Sequence, residues 1–198
     1  MLTRCRWLLA ISVGVGGLVA GAVGGVGGSA QAPRVVAIQV DFAYDVGDPG
    51  LVAGDAAFVV AGEVESYVRR VEDRSIIRVR VLDELKGSVP KAIQVSQLGY
   101  VDGETTYELE GFPLMKEGDA YILALVAPAE QEPQDALILL SAQKDGNKVR
   151  IASLLDPAVE TYKAAIAAGR RPYGSDSGPL EERATNAKRW SRLVQVDG

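Results

Sequence analysis

From Val35 onward, apolar and polar residues change places in short runs divided by turn residues, a rhythm that predicts strands. Val35-Val36-Ala37-Ile38-Gln39-Val40 reads as a first strand. Asp48-Pro49-Gly50 is a turn with room for one helical turn behind it. Residues 57–64 are apolar on both faces at first and alternate later, and Gly62 inside that run suggests a bulge or bend of the kind barrels need. Over residues 74–82, Ile77, Val79 and Val81 share one face and Arg78 and Arg80 the other, the pattern of a half-buried antiparallel strand. A turn through Leu85-Lys86-Gly87 and Val89-Pro90 leads into Ile93-Gln94-Val95-Ser96. Residues 120–126 are apolar on both faces and so predict a central strand. Residues 136–141 and 148–153 follow, with a hairpin turn expected at Asp145-Gly146. Seven strand-like runs thus precede Asp156.

Helical periodicity comes late. Asp156 is placed to cap, Pro157 suits the first helical position, and Gly169 with Pro172 supplies the stop. Val159, Tyr162 and Ile166 would face the strands. Residues 170–178 form a linker rich in Gly, Pro and Ser. Residues 179–194 suggest a second, basic and weakly apolar helix through Leu180, Ala184, Ala187 and Trp190. The expected fold is therefore mainly β: an antiparallel barrel over residues 35–168 with a C-terminal helix packed on it, then a linker and basic tail over residues 169–198.

Residues 1–30 differ from everything after them. Arg4 and Arg6 precede an apolar stretch over residues 7–26, and small residues follow, the three parts of an export signal. The Ala-x-Ala ending at Ala32 is followed by Pro33, so cleavage after Ala30 is the easier choice. The apolar stretch, about 20 residues, is also close to a minimal membrane span, and Gly17, Gly21 and Gly25 recur at the spacing of close helix packing. Cleaved signal and retained anchor both remain open; either predicts an extracytoplasmic domain, secreted or held at the membrane by residues 7–26.

Composition then narrows the chemistry. The 198 residues contain no histidine, and the single cysteine, Cys5, lies in the leader. Ser–His–Asp triads, Cys–His nucleophiles and structural zinc sites are excluded together. Over residues 35–168 there are 22 acidic and 12 basic side chains, whereas residues 169–198 have a net charge of +2. An acidic body repels phosphate backbones, so nucleic acid is not an expected partner.

The remaining motifs are weak. Ser88-Val89-Pro90-Lys91 has the spacing of a serine–lysine pair, but Pro90 and the flanking strands make it a turn. Glu63 and Glu65 share one strand face and could act as paired carboxylates, but they alternate with apolar Val64 and read as a solvated strand face. Asp45, Asp48, Asp102 and Glu104 do not match the ligand spacing of a calcium loop. No catalytic residue, metal or cofactor is expected. The segment over residues 99–118 is long for a simple connection and holds Tyr100, Tyr107 and Phe112 among Asp102, Glu104, Glu108 and Glu110. Aromatic rings in a polar segment are candidate binding anchors; the alternative is that residues 105–109 form a strand and the rings plug one end of the barrel.

In their order, three pieces carry a resemblance: Asp55-Ala56-Ala57-Phe58-Val59-Val60-Ala61-Gly62-Glu63-Val64, then Ile77-Arg78-Val79 leading to Leu85-Lys86-Gly87, then Asp119-Ala120-Tyr121-Ile122-Leu123-Ala124 before the helix over residues 156–168. This arrangement resembles the OB-like barrel of the netrin/TIMP type, as also seen in exported bacterial proteins. Metalloproteinase inhibitors of that type chelate the protease zinc through an N-terminal cysteine, and here no cysteine follows Cys5. The resemblance thus implies the fold and a non-enzymatic binding role, with a protein or glycan partner at the cell envelope. The alternative is a carboxylate-dependent hydrolase or metal-binding enzyme.

Overall fold

The computed structural model describes residues 33–38, 48–110, 112–128, 133–139, 148–169, 185 and 187–190. The elements run β1 (Arg34–Ile38), α1 (Pro49–Asp55), β2 (Phe58–Val71), β3 (Arg74–Lys86), β4 (Ala92–Asp102), β5 (Thr105–Leu109), β6 (Ala120–Val126), β7 (Leu137–Leu139), β8 (Lys148–Ile151) and α2 (Pro157–Ala168). The leader, the turn at Asp145-Gly146 and most of residues 179–194 lie outside the described residues.

Five strands close a ring in the order β2-β3-β4-β7-β6 and back to β2. The fold is mainly β, a closed barrel with α2 packed against it, as the pattern of the chain predicts. One feature of the expected antiparallel barrel changes: the β4–β7 seam is parallel, pairing Val95 with Leu137 and Ser96 with Ile138. The reason is parity. Directions cannot alternate all the way round a closed ring of five strands, so one seam must be parallel. This strand order and single parallel seam are those of an OB-like barrel.

The double apolarity of residues 57–64 and 120–126 now has a cause. Phe58, Val60, Tyr121, Leu123 and Leu125 point into the barrel with Ile77, Val79, Val81, Ile93 and Val95. Their sequence neighbours Val59, Ala61, Ile122 and Ala124 point outward and are covered by Val52 and Ala53 of α1 and Val159 and Tyr162 of α2. A strand buried on both faces carries no polar alternation.

Gly62 sits where β2 crosses β3 closely. A Cβ there would lie 2.5 Å from Val79 Cγ1 and 3.3 Å from the Arg80 carbonyl oxygen. The β2–β3 register slips between Ala61 and Gly62, the bulge anticipated from the sequence. Further slips at Val64/Ser66 and Tyr67/Arg69 carry the hairpin beyond the ring.

The α2 signals act as read. Asp156 accepts a hydrogen bond from the Ala158 N–H, Pro157 opens the helix, and Gly169 ends it in the left-handed conformation. The shorter α1 has a different stop. Lys86 Nζ donates to the carbonyls of Ala53 (2.7 Å) and Ala56 (2.6 Å), placing a cation at the helix C-terminus.

The last two strands share one neighbour. β7 and β8 both run antiparallel to β6 and lie end to end along the same edge, Leu139 opposite Leu125 and Lys148 opposite Leu123.

Candidate functional site

β5 is the strand that the alternative reading placed at residues 105–109, and it extends the sheet outside the ring. β4 runs past its ring partners to Asp102, turns at Gly103, and pairs with β5 from Asp102↔Thr105 to Gly99↔Glu108. β1 then adds in parallel to β5, Arg34↔Thr105 through Ile38↔Leu109. The result is a three-stranded flap built from the chain's first strand and the long segment after β4.

Cross-strand partners share a face, so register puts Val36, Tyr107 and Tyr100 in one row. The Tyr100 and Tyr107 rings are stacked, centroids 4.6 Å apart and planes inclined by 19°. Arg70 extends the row from the β2–β3 hairpin, its guanidinium carbon 3.4 Å from the Tyr100 centroid. Arg70 Nε donates to the Glu72 carbonyl (2.7 Å), and Nη1 reaches Asp102 Oδ2 at 3.4 Å. Both tyrosines are half-buried. They stand outside both packed clusters of the described residues. On the opposite face of the flap, Val35 and Val101 flank Thr106 and are 61% and 56% exposed.

Phe112 is not brought to this row. It is buried, bridged to Leu109 by the backbone, with Lys148 Nζ 5.9 Å from its ring centroid. Lys148 is half-buried and donates to the Pro113 carbonyl. Burial lowers its pKa to about 8, against the opposing pull of Glu108.

The rest of the segment closes one barrel end. Met115 joins the interior cluster, and its N–H donates to Gln97 Oε1 (3.2 Å). Tyr121 O–H donates to Asp119 Oδ2 (3.2 Å) and accepts from the Lys116 N–H. Burial first, and then Asp119, raise the Tyr121 pKa.

The other candidates are structurally occupied. Glu63 pairs with Arg80 at 2.7 Å, and Glu65 lies 3.5 Å from Arg78 and 3.7 Å from Arg80, all on one exposed face. Ser88 Oγ donates to Glu84 Oε1 (3.2 Å), and the Val89 N–H bonds the same oxygen at 2.7 Å. Asp48 caps α1 through the Gly50 N–H, and Asp102 faces Arg70. Asp45 lies outside the described residues.

Sequence reasoning missed Arg70 altogether and read Trp190 only as part of a tail helix. Arg70 is remote in sequence from the tyrosines and reaches them only through hairpin geometry. Trp190 sits against Phe58, centroids 5.7 Å apart, within the barrel's interior cluster. A lone tryptophan in a basic tail was the available signal for it. No known protein family matches the chain, and no curated protein does. Among the described residues no helix is long and apolar enough to cross a membrane, which leaves crossing by strands unaddressed.

Proposed function

We propose that this protein is an exported or envelope-anchored, non-enzymatic binding module whose contact surface is the Arg70–Tyr100–Tyr107 row of the flap. One observation carries the reading: two stacked tyrosines and a guanidinium stand on a three-stranded extension, outside both packed clusters of the described residues. Tyr and Arg are the side chains that concentrate binding energy at interfaces, because they offer wide contact area with few torsions to freeze. The segment that carries the row also carries Asp102, Glu104, Glu108 and Glu110, an acidic composition that favours a neutral or basic protein or glycan over an anionic polymer. Phe112, buried beside Lys148, is left out of this surface.

The paired carboxylates of the enzymatic alternative draw no support from the geometry, since Arg78 and Arg80 engage Glu63 and Glu65. The test is capture from envelope extracts by the exported domain and by its Tyr100→Ala and Tyr107→Ala variants. Loss of a captured component in both variants, with their melting temperatures nearly unchanged, is the expected result. Capture that persists in both variants would overturn the assignment of this surface.

A further inference from the structure

β1 is the end strand of the described sheet, which follows the path β1-β5-β4-β3-β2-β6-β7. Its ladder to β5 fixes the direction of its backbone groups. The Arg34 N–H donates to the Glu104 carbonyl, and the Ile38 carbonyl accepts from the Glu110 N–H, both at 3.0 Å. Alternate residues of a strand direct their backbone groups to the same side. Arg34, Val36 and Ile38 therefore face β5, and the N–H and C=O of Val35 and Ala37 face the outer edge. Val35 is 61% exposed, and Ala37 is exposed as well. This stretch lacks the usual guards of an edge strand: residues 35–38 carry no charge, and the register to β5 runs without a bulge.

We infer that the outer edge of β1 binds β1 of a second copy of this chain, antiparallel about a twofold axis at Val36. In that register Val35 of one copy exchanges both backbone hydrogen bonds with Ala37 of the other. Val36 lies opposite Val36, and Arg34 lies opposite Ile38, so no charge meets its like and the axis is apolar. Pro33, the next residue of the outward-facing set, has no N–H, so a register shifted towards it loses a donor. Both faces of the flap continue across the axis. Val36 ends the row of Tyr100 and Tyr107, and pairing at Val36 joins the rows of two copies into one. On the other face, the exposed Val35 gains Ala37 of the second copy as a cross-strand neighbour. This self-complementarity selects a copy of β1 over an unrelated segment. The sequence points to the same occupant: Gly17, Gly21 and Gly25 have the spacing by which like membrane helices pack, which would gather anchored copies beside β1. The inference concerns the edge of the flap, not its face, and does not rest on what the tyrosine row binds.

Cys5 is the single cysteine, so the full-length Cys5→Ser chain accepts one new thiol at a chosen position. Copper–phenanthroline then oxidises facing thiols to a disulfide, and non-reducing electrophoresis reads the dimer. Across the axis the two Val36 Cα atoms lie about 4.5 Å apart, within disulfide reach. The two Val35 Cα atoms lie about 8 Å apart, beyond that reach. Val36→Cys should therefore give at least fivefold more dimer than Val35→Cys, although Val35 is the more exposed residue. Random collision follows exposure, so an equal or larger yield from Val35→Cys would overturn the proposal. In a second arm, the Val35→Cys and Ala37→Cys chains are oxidised separately and as an equal mixture. The mixture should yield at least fivefold more dimer than either chain alone, because position 35 faces position 37. This arm uses two exposed positions and decides alone if Val36→Cys weakens the β-sheet circular dichroism. No gain on mixing would overturn the proposal.

Discussion

At the residue scale, single contacts decide several outcomes. Gly62→Val forces a side chain into Val79 Cγ1 and the Arg80 carbonyl, and overpacking of that kind costs about 1–3 kcal/mol. Thermal denaturation should show the loss, and an unchanged midpoint would contradict the close approach. Lys148 makes a pH signature. Its folded pKa of about 8 lies below the model-peptide value of 10.5, so between those values the unfolded chain holds more protons. Stability therefore rises with pH from about 8, and below that the burial cost is fully present. Above pH 10 the buried Tyr162 reverses the trend, because burial raises its pKa and the unfolded chain ionises first. Between pH 8 and 10, denaturation of the parent chain should gain on the Lys148→Met variant. Parallel profiles would remove Lys148 from the account. Gly62 was legible because a glycine inside an apolar strand run has few other uses. Lys148 was not, since its surroundings come from Phe112 and Glu108, far away in sequence.

Elements explain which of the three sequence-predicted aromatic residues serve which purpose. Phe112 is buried, so Phe112→Ala should cost about 3–5 kcal/mol. Tyr100 and Tyr107 form a half-buried stacked pair, for which the ring–ring interaction adds about 0.5–1.5 kcal/mol. Urea denaturation of Tyr100→Ala and Tyr107→Ala should accordingly show smaller losses than Phe112→Ala. The reverse order would place the tyrosines in the core. Alternation identified β3, capping residues identified α2, and double apolarity identified β2 and β6, because each signal is local. β5 and the flap were harder to read. The run Thr105-Thr106-Tyr107-Glu108-Leu109 is polar, and it is a strand because β1 and β4 supply partners on both edges. β7 and β8 are strands because β6 offers both of them an edge.

For the whole molecule, the ring of five strands fixes one parallel seam, and α1 and α2 cover the faces of β2 and β6 that the barrel leaves apolar. The leader adds a prediction about place. Intact mass of the extracytoplasmic form should correspond to a chain starting at Gln31, if cleavage follows Ala30, or at Met1, if the anchor is kept. Detection in the cytoplasm alone would contradict export.

The central claim is that the flap's tyrosine row touches the partner. Site-specific photocrosslinking in intact cells tests it most directly, with the photoreactive residue at Tyr107 and, as control, at Arg78 on the exposed ion-pair face. A discrete adduct from position 107 and none from position 78 is the predicted result. An adduct from position 78 alone, or the same adduct from both, would contradict the assignment of the flap as the binding surface.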